Sequence, residues 1–274
     1  MANAPDNPAT QRLQWFGRTA CGPVRPNNED AFLALRFDAR EVNYLGKIGE
    51  GLTDREDYAF AVSDGMGGAK AGEYASQITV QKITALLPRS FKQSATGLQE
   101  AHADVLEELY SQTHQALQFL GQSYEECRGM EATLTLCWFR PGWMYFGHIG
   151  DSRLYYLAAR GGGIRQLSQD DTYVGWLHRT KQISEYEARN HPRRNMLQKA
   201  LGGSNQFVSP QVGAVGYEPG DTFLLCTDGL TQGLYDHDLE ELLRSAENPA
   251  DLLVAESIAR SGRDNTTALV IRAQ

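Results

Sequence analysis

No uncharged apolar run in this chain of 274 residues reaches the length of about 20 that a membrane-spanning helix needs. The opening stretch, MANAPDNPATQ, also lacks the basic start and apolar middle of a signal peptide. A soluble, cytoplasmic protein is expected, with no membrane partner. Positive charge is scarce as well: 26 basic against 34 acidic side chains leave a net charge of −8, which opposes capture of a nucleic acid backbone as the main activity. The four cysteines, Cys21, Cys127, Cys137 and Cys226, form no CxxC pair. They read as small buried residues in a reducing compartment, not as a catalytic thiol or a disulfide framework. No Ser/Gly/Pro-rich linker, low-complexity tract or tandem repeat divides the chain. A flexible tail over residues 1–12 and a single domain over 13–274 are expected, the 41% apolar content supplying one substantial core.

What is present centres on residues 58–72, YAFAVSDGMGGAKAG. Tyr58, Phe60 and Val62 alternate with small residues, the pattern of a buried strand, and Asp64 stands at its tip. Gly65, Gly67 and Gly68 allow a tight turn and close approach of a ligand, and helix follows from Glu73. A hairpin turn at Asp64-Gly65 is the plain alternative. Two nucleotide motifs fail: Lys70 stands where a dinucleotide fingerprint needs its last glycine, and Ala71 where a phosphate-binding loop needs Ser or Thr.

The construction recurs in TFLLCTDG, residues 222–229, which sets Asp228 as Asp64 is set. Asp151 in FGHIGDSRLYYL and Asp264 in SGRDNTTALVI also sit at strand edges. Four such carboxylates, without a Cys or His pair at metal-ligand spacing, suit a hard divalent cation such as Mg²⁺ or Mn²⁺ and disfavour zinc. Near the start, Arg25 precedes Glu29 and Asp30 in CGPVRPNNEDAFLAL, and an arginine fork is suited to phosphate.

Helical spacing is read over 69–88, closed by Pro88, and over 97–121. Pro141-Gly142 marks a hairpin turn. Residues 38–57 form a polar stretch of about twenty residues, read as disordered surface with partner binding as the lesser alternative. His102 and His114 receive no chemical role, and His148 is read as a packed histidine. Between Thr172 and Lys199 six cations, Arg179, Lys181, Arg189, Arg193, Arg194 and Lys199, face only Glu185 and Glu187, a local net of +4. Such a segment could attract a phosphorylated peptide or simply be a solvated face. Strands over 207–216 and 221–227, helices near 236–245 and 249–260, and a final strand TTALVIR complete the chain.

RPNNED, AVSDGMGGAKAGEYAS, GHIGDSRLYYL, RNHPRRNMLQKALG, LLCTDGL and GRDNTTALVI, in this order, resemble the metal-dependent serine/threonine protein phosphatases of the type 2C family in their bacterial form. The resemblance runs from about residue 15 to the C-terminus. It implies an α+β fold, a four-layer α-β-β-α sandwich of two antiparallel sheets flanked by helices, with a flap subregion over 172–205. It implies hydrolysis of phosphoserine and phosphothreonine by a water bridging two Mn²⁺ or Mg²⁺ ions. Asp64 would bridge both ions, Asp228 and Asp264 complete one, and Glu29 with the Gly65 carbonyl bind the other. Arg25 would hold the phosphate and Asp30 orient the water. A third ion near Asp151 is left open, since Gln232 occupies the usual place of its acidic ligand. Met66 replaces a histidine proposed elsewhere as proton donor, and Asp171 another histidine. Phosphorylated proteins are the implied substrates and a serine/threonine kinase the implied opponent. The alternatives are an inactive scaffold binding phosphoproteins and a two-metal nuclease or phosphodiesterase.

Overall fold

The computed structural model describes residues 11–38, 40–54, 56–68, 70–95, 102–204 and 208–274. Five strands open the chain: β1 (Arg12–Ala20), β2 (Asp30–Phe37), β3 (Val42–Tyr44), β4 (Ile48–Leu52) and β5 (Asp57–Met66). Two long helices follow, α1 (Ala71–Ala95) and α2 (His102–Ser123). Next come β6 (Glu131–Ala132), the hairpin of β7 (Leu134–Arg140) and β8 (Trp143–Ile149), then β9 (Arg153–Leu157) and β10 (Arg165–Gln166). The basic segment contains α3 (Tyr173–Arg179) and α4 (Glu185–Arg189). After β11 (Leu201–Gly202) and β12 (Gln211–Gly216) come β13 (Thr222–Cys226), α5 (Asp228–Gly233), α6 (Asp236–Ser245), α7 (Pro249–Arg260) and β14 (Thr266–Ala273).

One sheet has the order β10-β9-β13-β14-β1-β4. The other is built on β5, which pairs with β2 along one edge and with β7 and then β6 along the other. Every ladder between named strands is antiparallel. Alternation along β5 decides the layering. Tyr58, Phe60 and Val62 enter the core between the sheets with Leu13, Phe223 and Ile271, while Ala59 and Ala61 turn to α1 and α2 beside Ile83 and Leu109. The small residues let a helix lie close; the large ones fill the space between sheets, each contributing about 1.5–3 kcal/mol by leaving water. A third core joins Leu224 and Val270 to Leu239, Leu243, Leu253 and Val254 of α6 and α7. The result is the expected four-layer sandwich.

Four details differ from the sequence reading. Two strands form within residues 38–57, of which 39 and 55 lie outside the described residues: β3 extends the edge of β2 and β4 lies beside β1, so this stretch adds a strand to each sheet. Gly49 and Gly51 make it fit, because a Cβ at either would overlap the ring of Trp15 or Tyr58. Pro88 does not end α1, which continues to Ala95; packing of the buried Ile83 and Leu87 outweighs one lost backbone donor. Asp64-Gly65 is no hairpin, since Gly65 pairs with Ala132 and β5 runs on to Met66. Finally, Gln11 is buried, donating to the Tyr217 carbonyl at 3.2 Å, and Arg12 opens β1, so both belong to the domain. Residues 1–10 of the expected tail lie outside the described residues. Among the described residues no helix is long and apolar enough to cross a membrane.

Candidate active site

Strand pairing brings the acids to one rim. The β2–β5 register sets Asp30 opposite Asp64. In the other sheet β13 and β14 are antiparallel neighbours, with Cys226 opposite Ala268. Asp228, just past the end of β13, and Asp264, just before the start of β14, therefore share an edge. Asp30 ties the two sheets together there: its Oδ2 accepts from the hydroxyls of Thr227 and Thr267, each at 2.7 Å. Its Oδ1 is buried without a partner among the described residues.

Asp64, Asp228, Asp264 and Glu29 are each fixed through backbone or a neighbour. The Asp64 N–H donates to Thr133 Oγ1 and its carbonyl accepts from the Thr133 N–H, both at 2.9 Å. Asp228 Oδ2 accepts from Gln232 Nε2 at 3.0 Å, and Asp228 Oδ1 is a second buried oxygen without a partner among the described residues. Asp264 is turned to Arg25, whose Nε and Nη2 each approach it to 3.0 Å. Asn265 organises the loop below: its Oδ1 accepts from the Glu29 N–H at 2.7 Å, and its Nδ2 donates to the carbonyls of Cys21 and Asn27.

Glu29 and Gly65 meet at the start of α1. A Cβ placed on Gly72 would lie 2.8 Å from the Gly65 carbonyl oxygen and 2.9 Å from Glu29 Oε1. These two oxygens thus converge on a space that only a glycine leaves open.

Electrostatics agree with this crowding. Burial, then repulsion from Asp30, Asp228, Asp151 and Asp264, pushes the Asp64 carboxyl well above the usual carboxylate range. Asp151 is raised likewise by burial and by Asp228. Burial and Asp264 lift Asp228 to about 6, and burial lifts Asp30 to about 7 despite its two hydroxyl donors. Burial also raises Glu29. Acids that share one field so closely favour a positive charge among them. Among the described residues no three Asp, Glu, His or Cys side chains form a ready coordination shell, Asp264 being engaged with Arg25. The donor set nevertheless fits hard divalent cations, being all oxygen and including unpartnered buried carboxylate atoms and a carbonyl.

All eight residues singled out from sequence, Arg25, Glu29, Asp30, Asp64, Gly65, Asp151, Asp228 and Asp264, are linked here by contacts, register or mutual repulsion. Thr133, Thr227, Thr267, Asn265 and Gly72 were not singled out. The only trace of them was the hydroxyl residue ahead of each Asp-Gly and the Asn after Asp264. Asp171 also gains a place, accepting from the Gly150 N–H at 3.1 Å and pairing with Lys199 at 3.4 Å. His148 is a packed histidine, bonded to Thr135 at 2.9 Å and held below the ordinary imidazole range by burial.

The family model described as Protein phosphatase 2C matches residues 50–261. The chain belongs to the protein phosphatase 2C family. The serine/threonine phosphatase stp of Listeria monocytogenes serotype 4b is 32% identical over 243 residues, 86% of this chain and 94% of that protein. The crystal structure of the Mycobacterium tuberculosis serine/threonine phosphatase PstP/Ppp superposes with a TM-score of 0.76 at 29% identity, covering 95% of this chain and 98% of that one. A second structure, the PstP catalytic domain in complex with two manganese ions, gives 0.75 at 27% identity, covering 97% and 99%. The four layers of the sandwich and the acidic rim are thus set in a phosphatase 2C frame.

Proposed function

We propose that this protein is a metal-dependent phosphoprotein phosphatase that hydrolyses phosphoserine and phosphothreonine esters. One observation carries the reading: acids from both sheets meet at one rim, with oxygens on Asp30 and Asp228 that are buried and unpartnered among the described residues, beside the fork of Arg25. A phosphate monoester is doubly anionic and resists attack by water. Two divalent cations, when bound, neutralise the ester and acidify a water. Asp64, Asp228 and Asp264 would hold one cation, and Glu29 with the Gly65 carbonyl the other, Asp64 being shared. Gln232 gives Asp228 a donor where a further carboxylate would add charge, so the reading is of two Mn²⁺ or Mg²⁺ ions.

Arg25 stands at the rim with a planar fork that fits phosphate as well as it fits Asp264. Asp30, held by Thr227 and Thr267 through one oxygen, keeps Oδ1 free to orient a water and take its proton. The +4 segment from Thr172 to Lys199 favours approach of phosphorylated protein as a flap over 172–205, of which 205 lies outside the described residues. A cytoplasmic site of action opposite a serine/threonine kinase completes the reading.

An inactive scaffold would not need a full set of oxygen donors, and a nuclease would be poorly served by a net charge of −8. The test is hydrolysis of a phosphothreonine peptide and of single-stranded DNA, with Mn²⁺ or with chelator, by wild type and Asp228→Asn. Phosphate release that needs Mn²⁺ and vanishes in the variant is expected. Turnover that survives chelator would sink the reading.

A further inference from the structure

A cleft of about 870 Å³ opens beside the acidic rim. Asp151 and Asp228 line it, together with α3, α4 and the residues after α7. Its other carboxylates are occupied: Asp170 is paired with Arg153 at 2.7 Å, Glu185 with Arg189 at 3.1 Å, and Asp236 accepts from the Tyr155 hydroxyl at 3.2 Å. Its cations are only partly so: Arg153 and Arg189 are used in those pairs and Arg260 meets Asp238 at 2.9 Å. Among the described residues Lys181, Arg194 and Arg263 have no carboxylate partner, and Arg179 donates only to the Asp170 carbonyl, at 2.8 Å. The cleft wall therefore carries several positive charges that the fold does not neutralise, next to the rim where the reaction is placed.

Lys181 adds an independent sign. It closes α3 with its N–H on the His178 carbonyl and the Gln182 N–H on the Leu177 carbonyl, each at 2.9 Å. That pair of bonds is a helix ending whose closing residue is left-handed and normally glycine. Lys181 takes it at φ 58°, the one non-glycine residue with positive φ among the described residues. A glycine would relieve the backbone, yet the chain places a lysine there, lining the cleft together with Arg179, Arg194 and Arg263. Strain of this kind, retained where a simpler residue would serve, points to a task for the side chain.

The geometry points to a second anion site: Lys181, with Arg179, Arg194 and Arg263, binds a carboxylate or second phosphate carried by the substrate near its scissile phosphate. The site rests on the phosphatase reading and narrows its substrates to acidic-flanked or multiply phosphorylated segments. An anionic group seated there holds the substrate beside the rim, so the gain falls mainly on KM and fades with salt.

Three peptides with one scissile phosphothreonine distinguish the sources of the anion. One has neutral flanks, one has Asp and Glu on both sides, and one has a second phosphothreonine. With Mn²⁺ at low salt, the wild type is expected to show kcat/KM about tenfold higher on the two anionic peptides than on the neutral one, converging at high salt. Preference for the second phosphate alone assigns the site to phosphate; preference for both assigns it to any anion. Lys181→Gly is expected to melt at the same temperature as wild type or higher, while its anionic-to-neutral ratio falls about fivefold through KM. Arg194→Ala should lower the same ratio, and Lys181→Arg should keep it. Equal rates on all three peptides in the wild type, or an unchanged ratio in Lys181→Gly, would overturn the site and leave the phosphatase reading intact. Absence of turnover on every peptide would strike that reading instead. In that event anisotropy of a fluorescent, unphosphorylated acidic peptide in chelator decides: binding by wild type and loss in Lys181→Gly supports the site, and no binding by wild type ends it.

Discussion

Arg25 holds Asp264 through two contacts of 3.0 Å, Nε to one carboxylate oxygen and Nη2 to the other. The fork that would grip a phosphate is thus engaged with an acid that would grip a cation, and the two tasks compete for the same pair. Removing the fork should separate them. In Arg25→Ala, KM for a phosphothreonine peptide is expected to rise about tenfold or more, since a bidentate charge-assisted contact is lost. Mn²⁺ binding by titration calorimetry should tighten, because a positive charge has left the neighbourhood of the acids. Arg25→Lys should not restore KM, a point charge being a poor replacement for a planar fork. Weaker Mn²⁺ binding in Arg25→Ala would mean that Arg25 organises Asp264 and does not oppose a cation.

Gly72 offers a more local test of the second cation. A methyl group there would sit within 3 Å of both the Gly65 carbonyl and Glu29 Oε1, so neither oxygen could keep its present direction. Alanine is the better helix former by about 1 kcal/mol, which works against a loss of fold in the first turn of α1. Gly72→Ala is therefore expected to fold while binding fewer Mn²⁺ ions and losing activity by an order of magnitude or more. An alanine variant with wild-type Mn²⁺ stoichiometry would show that Glu29 and Gly65 do not act together.

The acids were legible in the sequence because chemistry of this kind leaves a local mark: an apolar run ends, a carboxylate follows, a glycine turns the chain. Arg25 and Glu29 were legible for the same reason, once several such marks stood in order. Thr227 and Thr267 were not. Buried hydroxyls are common, and only the pairing of β13 with β14 brings these two onto one oxygen of Asp30. Gly72 was hidden because its importance lies in what approaches it from Glu29, across the chain. Residues 38–57 misled because their partners are distant in sequence: β4 is polar and glycine-rich on its own, and becomes a strand only beside β1.

That strand gives a stability prediction. Gly49 lies under the indole of Trp15, whose Nε1 donates to the Gly46 carbonyl at 2.9 Å. Gly49→Ala would force the ring off its seat, an overpacking expected to cost about 1–3 kcal/mol in urea unfolding. Asp64 lies in β5 and Asp228 opens α5, both outside β4, so Mn²⁺ stoichiometry should be unchanged. A variant as stable as wild type would show that β4 can part from β1 without consequence.

Asp57 lies far from the rim and carries the pH prediction. It is buried, accepts from the Trp138 indole at 2.8 Å and lies 3.3 Å from Arg140 Nε. Burial lifts its carboxyl from 3.8 to about 6, against the pull of Arg140 and the indole. The folded protein therefore keeps this proton more tightly than the unfolded chain does. The resulting stability is fully present below about pH 4 and is lost as pH rises through 6. Asparagine keeps an acceptor for Trp138 and cannot ionise, so Asp57→Asn should lack this loss. Its stability relative to wild type is expected to grow between pH 4 and 7 by about 2.4 kcal/mol, at 1.36 kcal/mol for each tenfold change in acidity. The rim acids titrate in both proteins and largely cancel from the difference. Urea melts of the two proteins at pH 4, 5, 6 and 7 measure it. A gap that stays constant over that range would mean Asp57 is already ionised in the fold at pH 4, stabilised by Arg140 beyond what its burial removes.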